Sequence, residues 1–183
     1  GFFWRTTGPD NLQSKRLETY LRDTRLNNVA ILYQANIYGR GIGTTLRDLR
    51  AQYTGTTPAT DTFEINNPSS IPGKINALLN DGSIEALVFI SDSIEDIMAA
   101  ISTVDRTDGL TLSLTDSAAK TELLSDLQAY TGGNAELEAS IVSQIKGTKP
   151  SIPSSAQYDE FISRLNSIHG IDAQTSAFTA HSY

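Results

Sequence analysis

The sequence predicts an α/β protein of three layers (αβα), with a mainly parallel, doubly wound (Rossmann-like) sheet between two layers of helices. Short apolar runs of strand length, such as Val29–Tyr33 (VAILY) and Ala86–Ser91 (ALVFIS), are rich in β-forming residues. Segments with apolar residues at helical spacing follow these runs. Strands that alternate with helices form βαβ units, whose parallel sheet is covered by helices on both faces.

The first half of the chain divides into three helices and two strands. We predict helices at Pro9–Arg25, at Gly39–Tyr53 and around residues 71–79, and strands at Val29–Tyr33 and Thr60–Ile65. Turn-forming Asn, Gly, Pro and Asp residues separate these segments. The helical residues expected to face the core are Leu12, Leu17, Tyr20, Leu21, Ile42, Leu46, Leu49, Tyr53, Ile71, Ile75, Leu78 and Leu79.

The second half continues this alternation. Ala86–Ser91 is the third predicted strand, and Asp92 follows it as a helix N-cap with Glu95 at the capping-box spacing. Leu110–Leu114 is the fourth predicted strand, whereas Leu137–Ile145 fits either a fifth strand or a helix. The residues expected to face the core from the two intervening helices are Ile94, Ile97, Met98, Ile101, Val104, Leu123, Leu124 and Leu127.

The two ends of the chain add further segments. Gly1–Thr7 is an aromatic, extended segment in which we expect Trp4 to pack, and Gly147–Ser155 is a proline-punctuated loop. Tyr158–Ile168 has the pattern of an amphipathic helix. The sequence begins without a methionine or a signal peptide, so we expect it to be a piece of a longer protein, truncated at both ends.

Composition limits the classes of function. The 183 residues suit a single α/β domain spanning 1–183, with 39% hydrophobic and 19% charged residues. The net charge of −7 and the absence of a basic run argue against a nucleic-acid partner. No apolar stretch is long enough to span a bilayer, so no direct membrane insertion is expected. The absence of cysteine removes disulfides and thiolate chemistry.

The stretch Val29–Gly43 (VAILYQANIYGRGIG) predicts where a ligand binds. It combines a buried strand, a loop with Tyr38 at its tip, and a glycine-rich start of a helix. In open α/β sheets, ligands bind outside the carboxyl ends of the strands. Tyr38 is therefore either a ligand contact or a packed wall at that edge. Asp116 leaves the fourth strand at the same edge, where an N-cap and a ligand contact are both possible.

Catalytic and cofactor motifs are missing from the sequence. The Gly39, Gly41 and Gly43 cluster lacks the spacing of a dinucleotide site and the lysine of a P-loop, so it favours a helix start that needs close backbone approach. His169 and His181 have no second ligand at metal spacing, and no GxSxG motif is present. We therefore predict no catalytic residue, no metal and no cofactor.

Several segments together resemble the type I periplasmic binding proteins of the branched-chain amino-acid transporter family. The resemblance rests on FFWRTTGPDNLQSKRL, VAILYQANIYGRGIG, ALVFISDSIEDI, LSLTDSA and GTKPSIPSSAQYDEFISRLNSIHGIDAQTSAFTAHSY, which follow the family's order over essentially the whole chain. It implies a periplasmic-binding-protein-like I fold, of which this chain is the second lobe. In that family two lobes clamp a small solute between them, so the first lobe would be a missing partner.

The resemblance also implies a ligand site. Tyr38 matches the family's ligand-contacting tyrosine before glycine, and Asp116 matches an acidic position that can meet a ligand ammonium group. Ser91, Asp92 and Ser93 occupy the loop that lines the cleft after the third strand. The family often has an aromatic residue in this loop, so its polar sequence here implies a more polar solute than a branched-chain amino acid.

The function implied is extracytoplasmic or periplasmic solute binding for an ABC transporter, without enzymatic activity. A small polar molecule, such as an amino acid, and a membrane permease would then be its partners. One alternative is a ligand-sensing lobe in the ectodomain of a receptor or a regulator. Another is an α/β enzyme domain, for example a flavodoxin-like domain or a hydrolase fragment.

Overall fold

The computed structural model describes residues 10–148, except 81 and 106, together with residues 160 and 163. The chain divides into two compact units. The unit Asp10–Lys149 holds the fold described below. The other unit consists of Gly1–Pro9 and Pro150–Tyr183, and within it only the helical, exposed residues Glu160 and Ser163 are described.

The described residues form five strands and six α-helices, which alternate along the chain as the sequence predicts except that α5 and α6 follow one another before β5. The strands are β1 Val29–Gln34, β2 Ala59–Phe63, β3 Ala86–Ile90, β4 Thr111–Leu114 and β5 Ile145–Gly147. The helices are α1 Asp10–Asp23, α2 Ile37–Thr54, α3 Ile71–Leu79, α4 Ile94–Val104, α5 Thr121–Thr131 and α6 Ala135–Gln144. Two short 3-10 turns, Pro68–Ser70 and Asp116–Ala118, precede α3 and α5.

The five described strands form one parallel sheet in the order β2-β1-β3-β4-β5. The chain moves from β1 outward to β2, returns to β3 on the other side of β1, and then continues to β4 and β5. This order confirms the doubly wound α/β class. Its switch point lies between β1 and β3, where open α/β sheets form a crevice beyond the strand ends.

Two apolar cores, one on each face of the sheet, hold the described unit together. On one face α1 and α2 pack over residues such as Ile31, and on the other face α3 to α6 cover residues such as Leu32. The alternation of neighbouring residues between the faces follows from the two-residue period of a strand. In the second core Phe63 stacks on Phe89, with ring centroids 5.3 Å apart. All six residues of β1 are buried, as expected for a central parallel strand.

The structure resolves the ambiguous segment Leu137–Ile145 mostly as a helix, and it shows that two predicted core positions are wrong. Residues 135–144 form helix α6, and the fifth strand is only the three residues that follow it. Tyr53 and Leu124 do not face the core, since they are 52% and 57% exposed. Arg50 is buried on α2 instead, where its Nη1 group lies 3.3 Å from Glu18 Oε1 of α1.

Some predictions fall outside the described residues. They concern the extended segment Gly1–Thr7 with Trp4, most of the loop Gly147–Ser155, all but Glu160 and Ser163 of the helix Tyr158–Ile168, and both histidines. Within the part of the chain that the structure describes, no helix is both long and apolar enough to cross a membrane.

Candidate functional site

The predicted ligand residues lie at the carboxyl edge of the sheet. Tyr38 follows β1, the segment Ser91–Ser93 follows β3, and Asp116 follows β4. The first two loops flank the switch point between β1 and β3, and β4 is the next strand in the sheet. Parallel strands bring these three chain segments to one edge although they are far apart in sequence.

Tyr38 lies in the first turn of α2 and not at the tip of a loop, which corrects the sequence-based placement. The helix begins at Ile37 because Asn36 caps it, with Asn36 Oδ1 accepting a hydrogen bond from the Gly39 amide at 2.6 Å. The Tyr38 hydroxyl donates to Asp116 Oδ1 at 2.9 Å and lies 3.4 Å from Ser117 Oγ. Tyr38 therefore connects the first turn of α2 to the exit of β4.

Gly39 and Gly43 of α2 lie at positions of close packing. A Cβ atom on Gly39 would lie 2.1 Å from the Gln34 carbonyl oxygen, and one on Gly43 would lie 2.5 Å from the Tyr33 ring. The Gly39 amide is already bonded to Asn36. These contacts confirm the predicted close backbone approach at the start of the helix.

Asp116 is the first residue of the 3-10 turn after β4, and Thr115 occupies the N-cap position there. The N-cap alternative for Asp116 is therefore wrong. Besides Tyr38, Asp116 Oδ1 accepts a hydrogen bond from Gln13 Nε2 of α1 at 2.8 Å. The same Gln13 nitrogen lies 3.1 Å from Thr148 Oγ1, just beyond β5. Asp116 is thus oriented by two neutral donors.

Gln13 and Thr148 are site residues that the sequence analysis missed. Gln13 is 103 residues from Asp116 and 135 from Thr148 in sequence. The signal available was a glutamine among the inner positions of an amphipathic helix, where an apolar residue is expected. Its 9% exposure shows that it is buried, and its amide satisfies the rule that buried polar groups have partners.

Hydroxyl groups join the exits of β3 and β4. Ser117 Oγ donates a hydrogen bond to the Ser91 carbonyl oxygen. Ser117 Oγ also lies 3.0 Å from Thr115 Oγ1. The loop after β3 is therefore fixed to the turn that carries Asp116.

The helix after β3 is capped by Ser93 and not by Asp92, so the predicted Asp92–Glu95 capping box is wrong. Ser93 Oγ accepts from the Asp96 amide at 3.4 Å. Asp92 is exposed, and its Oδ2 atom lies 3.3 Å from Asn36 Nδ2 across the switch point. The helix begins one residue later than expected, which leaves the Asp92 carboxylate at the crevice.

Asp96 is a buried carboxylate behind this loop, with 2% exposure. Its Oδ2 atom accepts from Ser91 Oγ at 2.8 Å and from Gln34 Nε2 at 3.3 Å. Burial raises the pKa of Asp96, the charges of Glu95 and Asp92 add to this rise, and the hydrogen bond from Ser91 opposes it.

The electrostatic character of the edge is acidic. Asp92, Asp96 and Asp116 lie along it, and none of the three forms an ion pair among the described residues. Lys120 Nζ donates a hydrogen bond to the main-chain oxygen of Asp92 at 3.3 Å. It forms no ion pair with a carboxylate among the described residues. Burial raises the pKa of Tyr38 far above its usual range, with a further rise from Asp116, so the phenol keeps its proton.

The edge can bind a polar or cationic group through carboxylate, hydroxyl and amide oxygens. Among the described residues, no group of three or more acidic or histidine side chains is placed to hold a metal ion. A small apolar cavity of about 200 Å³ lies beside the edge, lined by residues of β4, β5 and the start of α5, including Leu114, Leu123 and Ile145.

A larger cleft of about 650 Å³ lies at the opposite, amino edge of β1 and β2. Its lining includes Arg50, but this side chain is only 1% exposed and is occupied by Glu18 and by the carbonyl oxygens of Leu26 and Asn27. The guanidinium group is thus covered and connects α2 to α1 and the start of β1. The carboxyl edge remains the better candidate site.

Comparisons with known proteins support the fold. No family model and no curated protein matches the sequence. A solved structure assigned as a branched-chain amino acid ABC transporter from Rhodospirillum rubrum matches with a TM-score of 0.65 at 11% identity, over 92% of this chain and 45% of that chain. A similarly assigned structure from Silicibacter pomeroyi matches with a TM-score of 0.65 at 15% identity, over 92% of this chain and 42% of that one.

A third solved structure with a similar fold belongs to a protein that is described as a regulator. It is the C-domain of LpoA from Haemophilus influenzae, a regulator of PBP1A, with a TM-score of 0.60 at 13% identity over 86% of this chain and 46% of that chain. The chain thus spans less than half the length of these proteins. The chain has the fold of one lobe of a type I periplasmic binding protein, as the resemblance implied.

Proposed function

We propose that this chain is the second lobe of an extracytoplasmic solute-binding protein, one that serves an ABC transporter and catalyses no reaction. Its fold supports this proposal, because solved proteins with similar folds are assigned to transport, ligand reception or regulation. The acidic carboxyl edge favours a solute with an ammonium group, such as an amino acid or a related amine.

The main support for the proposal is that the Asp116 carboxylate is oriented by hydrogen bonds but has no cationic partner in the described part of the chain. Its Oδ1 atom is held by two neutral donors, from Tyr38 and Gln13, while the carboxylate lacks a cationic partner among the described residues. A carboxylate that is oriented in advance binds a cation without the entropic cost of ordering its side chain. In our proposal Oδ2 of Asp116 accepts from the ligand ammonium.

The other predicted residues have distinct roles in this proposal. Tyr38 forms a wall of the site and holds Asp116, because its hydroxyl already donates its hydrogen bond to that carboxylate. Asp92 is exposed and adds negative charge, while the Ser93 side chain is half-buried as the cap of α4. Ser91 is 1% exposed, so its hydroxyl supports the loop and does not contact the solute.

The proposed mechanism is hinge closure around the solute. A first lobe, outside this chain, would cover the carboxyl edge and exclude water from the carboxylate, which strengthens its interaction with an ammonium group. A ligand shifts the open–closed equilibrium only by its difference in affinity for the two states. The closed form would be the one that a membrane permease binds.

Nuclear magnetic resonance titration of the 183-residue chain tests the proposal. The titrants are L-leucine, L-glutamine, L-lysine, butylamine and, as an anionic control, succinate. We expect titrants with an ammonium group to shift the amide signals of Tyr38, Ser93 and Ser117, and succinate to leave them in place. Shifts from succinate alone, or shifts confined to other regions, contradict the proposal.

Paired variants test the role of the carboxylate. Asp116→Asn should weaken ammonium binding at least about tenfold, equivalent to about 1.4 kcal/mol. Asp108→Asn makes the same charge change at an exposed turn and should retain the wild-type affinity. Equal affinities for the two variants would remove Asp116 from the site.

A regulatory or sensing lobe is the second candidate. The TM-score of this chain with the LpoA C-domain, 0.60, is close to its TM-score of 0.65 with the two transporter-assigned structures. On this alternative the fold binds a protein partner, and the carboxyl edge need not bind a small molecule. The segments that flank the chain in its gene distinguish the two. A signal peptide or lipid-attachment site fits the transporter component, and a transmembrane helix fits a receptor.

A further inference from the structure

Asp96 lies behind the candidate site and is not itself open to a ligand. It is the third residue of the first turn of α4, where an acidic side chain commonly bonds to the amide of the N-cap residue. Here the amide of the N-cap, Ser93, donates instead to Ser91 Oγ at 3.1 Å. Ser91 Oγ in turn donates to the Asp96 carboxylate at 2.8 Å. The carboxylate is thus directed away from the helix end and toward the sheet.

One oxygen atom of Asp96 joins the two strands at the switch point. Oδ2 accepts from Ser91, directly after β3, and from Gln34, the last residue of β1. Gln34, Ser91 and Asp96 are each at most 2% exposed. A buried polar group keeps its hydrogen-bond partners, because losing one leaves the other unsatisfied away from water. This triad therefore fixes the separation of the β1 and β3 ends.

The triad connects to the residues that face the crevice. Gln34 Oε1 accepts from Asn36 Nδ2 at 2.6 Å, and Asn36 Oδ1 accepts from the Gly39 amide at the start of α2. This path holds the helical turn that carries Tyr38. A second path runs from Ser91 through its carbonyl oxygen to Ser117, beside Asp116.

We propose that Asp96 is the positioning residue of this edge, whose carboxylate holds the exits of β1 and β3 in the arrangement that the ligand requires. The inference about the ligand rests on the proposed function, but the inference about the arrangement does not. Asp96 acts only through Gln34 and Ser91, because its own burial excludes direct contact with a solute.

Amide hydrogen exchange of the ligand-free, 183-residue chain tests the arrangement. Asp96→Ala should accelerate exchange of the Gly39 and Ser93 amides at least about tenfold relative to the amides of β3. The reason is that the acceptors of these two amides, Asn36 Oδ1 and Ser91 Oγ, are no longer held in place through Asp96. Asp96→Asn keeps an acceptor oxygen in place and should restore most of the protection. Glu95→Ala, at an exposed neighbouring position, is the matched control and should change neither amide.

The outcomes separate positioning from general stability. A uniform acceleration across Gly39, Ser93 and β3 in Asp96→Ala means that the residue is merely structural, and an unchanged pattern means that it holds nothing. Either result overturns the proposal. Failure of Asp96→Asn to restore protection does so too.

A binding measurement then connects the arrangement to the ligand. With L-lysine as the probe, Asp96→Ala should weaken binding at least about tenfold while Asp96→Asn stays within about threefold of wild type. Equal binding by Asp96→Ala and wild type overturns the link to the ligand. If the wild-type chain binds none of the titrants, the proposed function fails, whereas the exchange result still decides the role of Asp96.

Discussion

Asp96 makes a pH-dependent contribution to stability whose sign follows from its burial. Because the pKa of the carboxyl group is raised in the folded protein, the folded state binds the proton more tightly than the unfolded chain, where the ordinary value is 3.8. This contribution to the free energy of unfolding is fully present below pH 3.8. It is lost as the pH rises through the raised pKa.

We predict that Asp96→Asn removes this pH dependence. The amide cannot ionise, so the variant should gain stability relative to wild type as the pH rises above 3.8 and through the raised pKa of Asp96. Urea unfolding at several pH values measures the difference, with Asp108→Asn as an exposed control. Parallel curves for Asp96→Asn and wild type would show that burial does not raise the pKa of this carboxyl group.

Single residues also show what the sequence could and could not predict. Tyr38 and Asp116 were placed at the correct edge, because the alternation of strands and helices determines which strand ends meet there. Their direct hydrogen bond was not predicted. The partnership of Gln13 with Asp116 depends on how α1 packs on the sheet, which no local pattern contains.

At the scale of elements, the start of α2 depends on a contact between backbones. Gly39 packs against the Gln34 carbonyl oxygen so closely that a Cβ atom would lie 2.1 Å away. The first turn of the helix and the end of β1 therefore fit together only with glycine at this position. The same turn carries Tyr38, so this packing also sets the geometry of the candidate site.

We predict that Gly39→Ala destabilises the protein by about 1–3 kcal/mol, the usual cost of overpacking. The matched control is Gly73→Ala in α3, where the added Cβ atom meets nothing within 4 Å. That variant should gain up to about 1 kcal/mol from helix propensity. Urea unfolding measures both, and a stabilised Gly39→Ala protein would contradict the packing argument.

Elements in which apolar residues recur at a clear helical or strand spacing were predicted well, and the exceptions have physical causes. The apolar strands β1 and β3 and the stripe of α4 were found because burial requires their patterns. Residues 135–144 were ambiguous because α6 buries little besides Ile141 and so shows a weak stripe. Arg50 occupies an inner position of α2 through its contact with Glu18, which a hydrophobic pattern cannot indicate.

At the scale of the whole molecule, the described residues place the candidate site at one edge of a single sheet. The chain spans 42% and 45% of two transporter-assigned proteins with this fold, and in our proposal another lobe completes the site. A ligand held only by the carboxyl edge of one sheet leaves much of its surface in water. Small ligands bind tightly when 70–90% or more of their surface is buried, as a rough guide.

We therefore predict that the 183-residue chain binds its solute weakly, with a Kd of about 1 mM or higher, equivalent to about −4 kcal/mol. The physical reason is that about half of the contacts of a closed clamp are absent and the carboxylate of Asp116 stays hydrated. Calorimetric titration with whichever amine or amino acid shifts the Tyr38 signals measures the affinity. Micromolar binding by this chain would mean that the site is complete within one lobe, and closure against a second lobe would then be unnecessary for recognition.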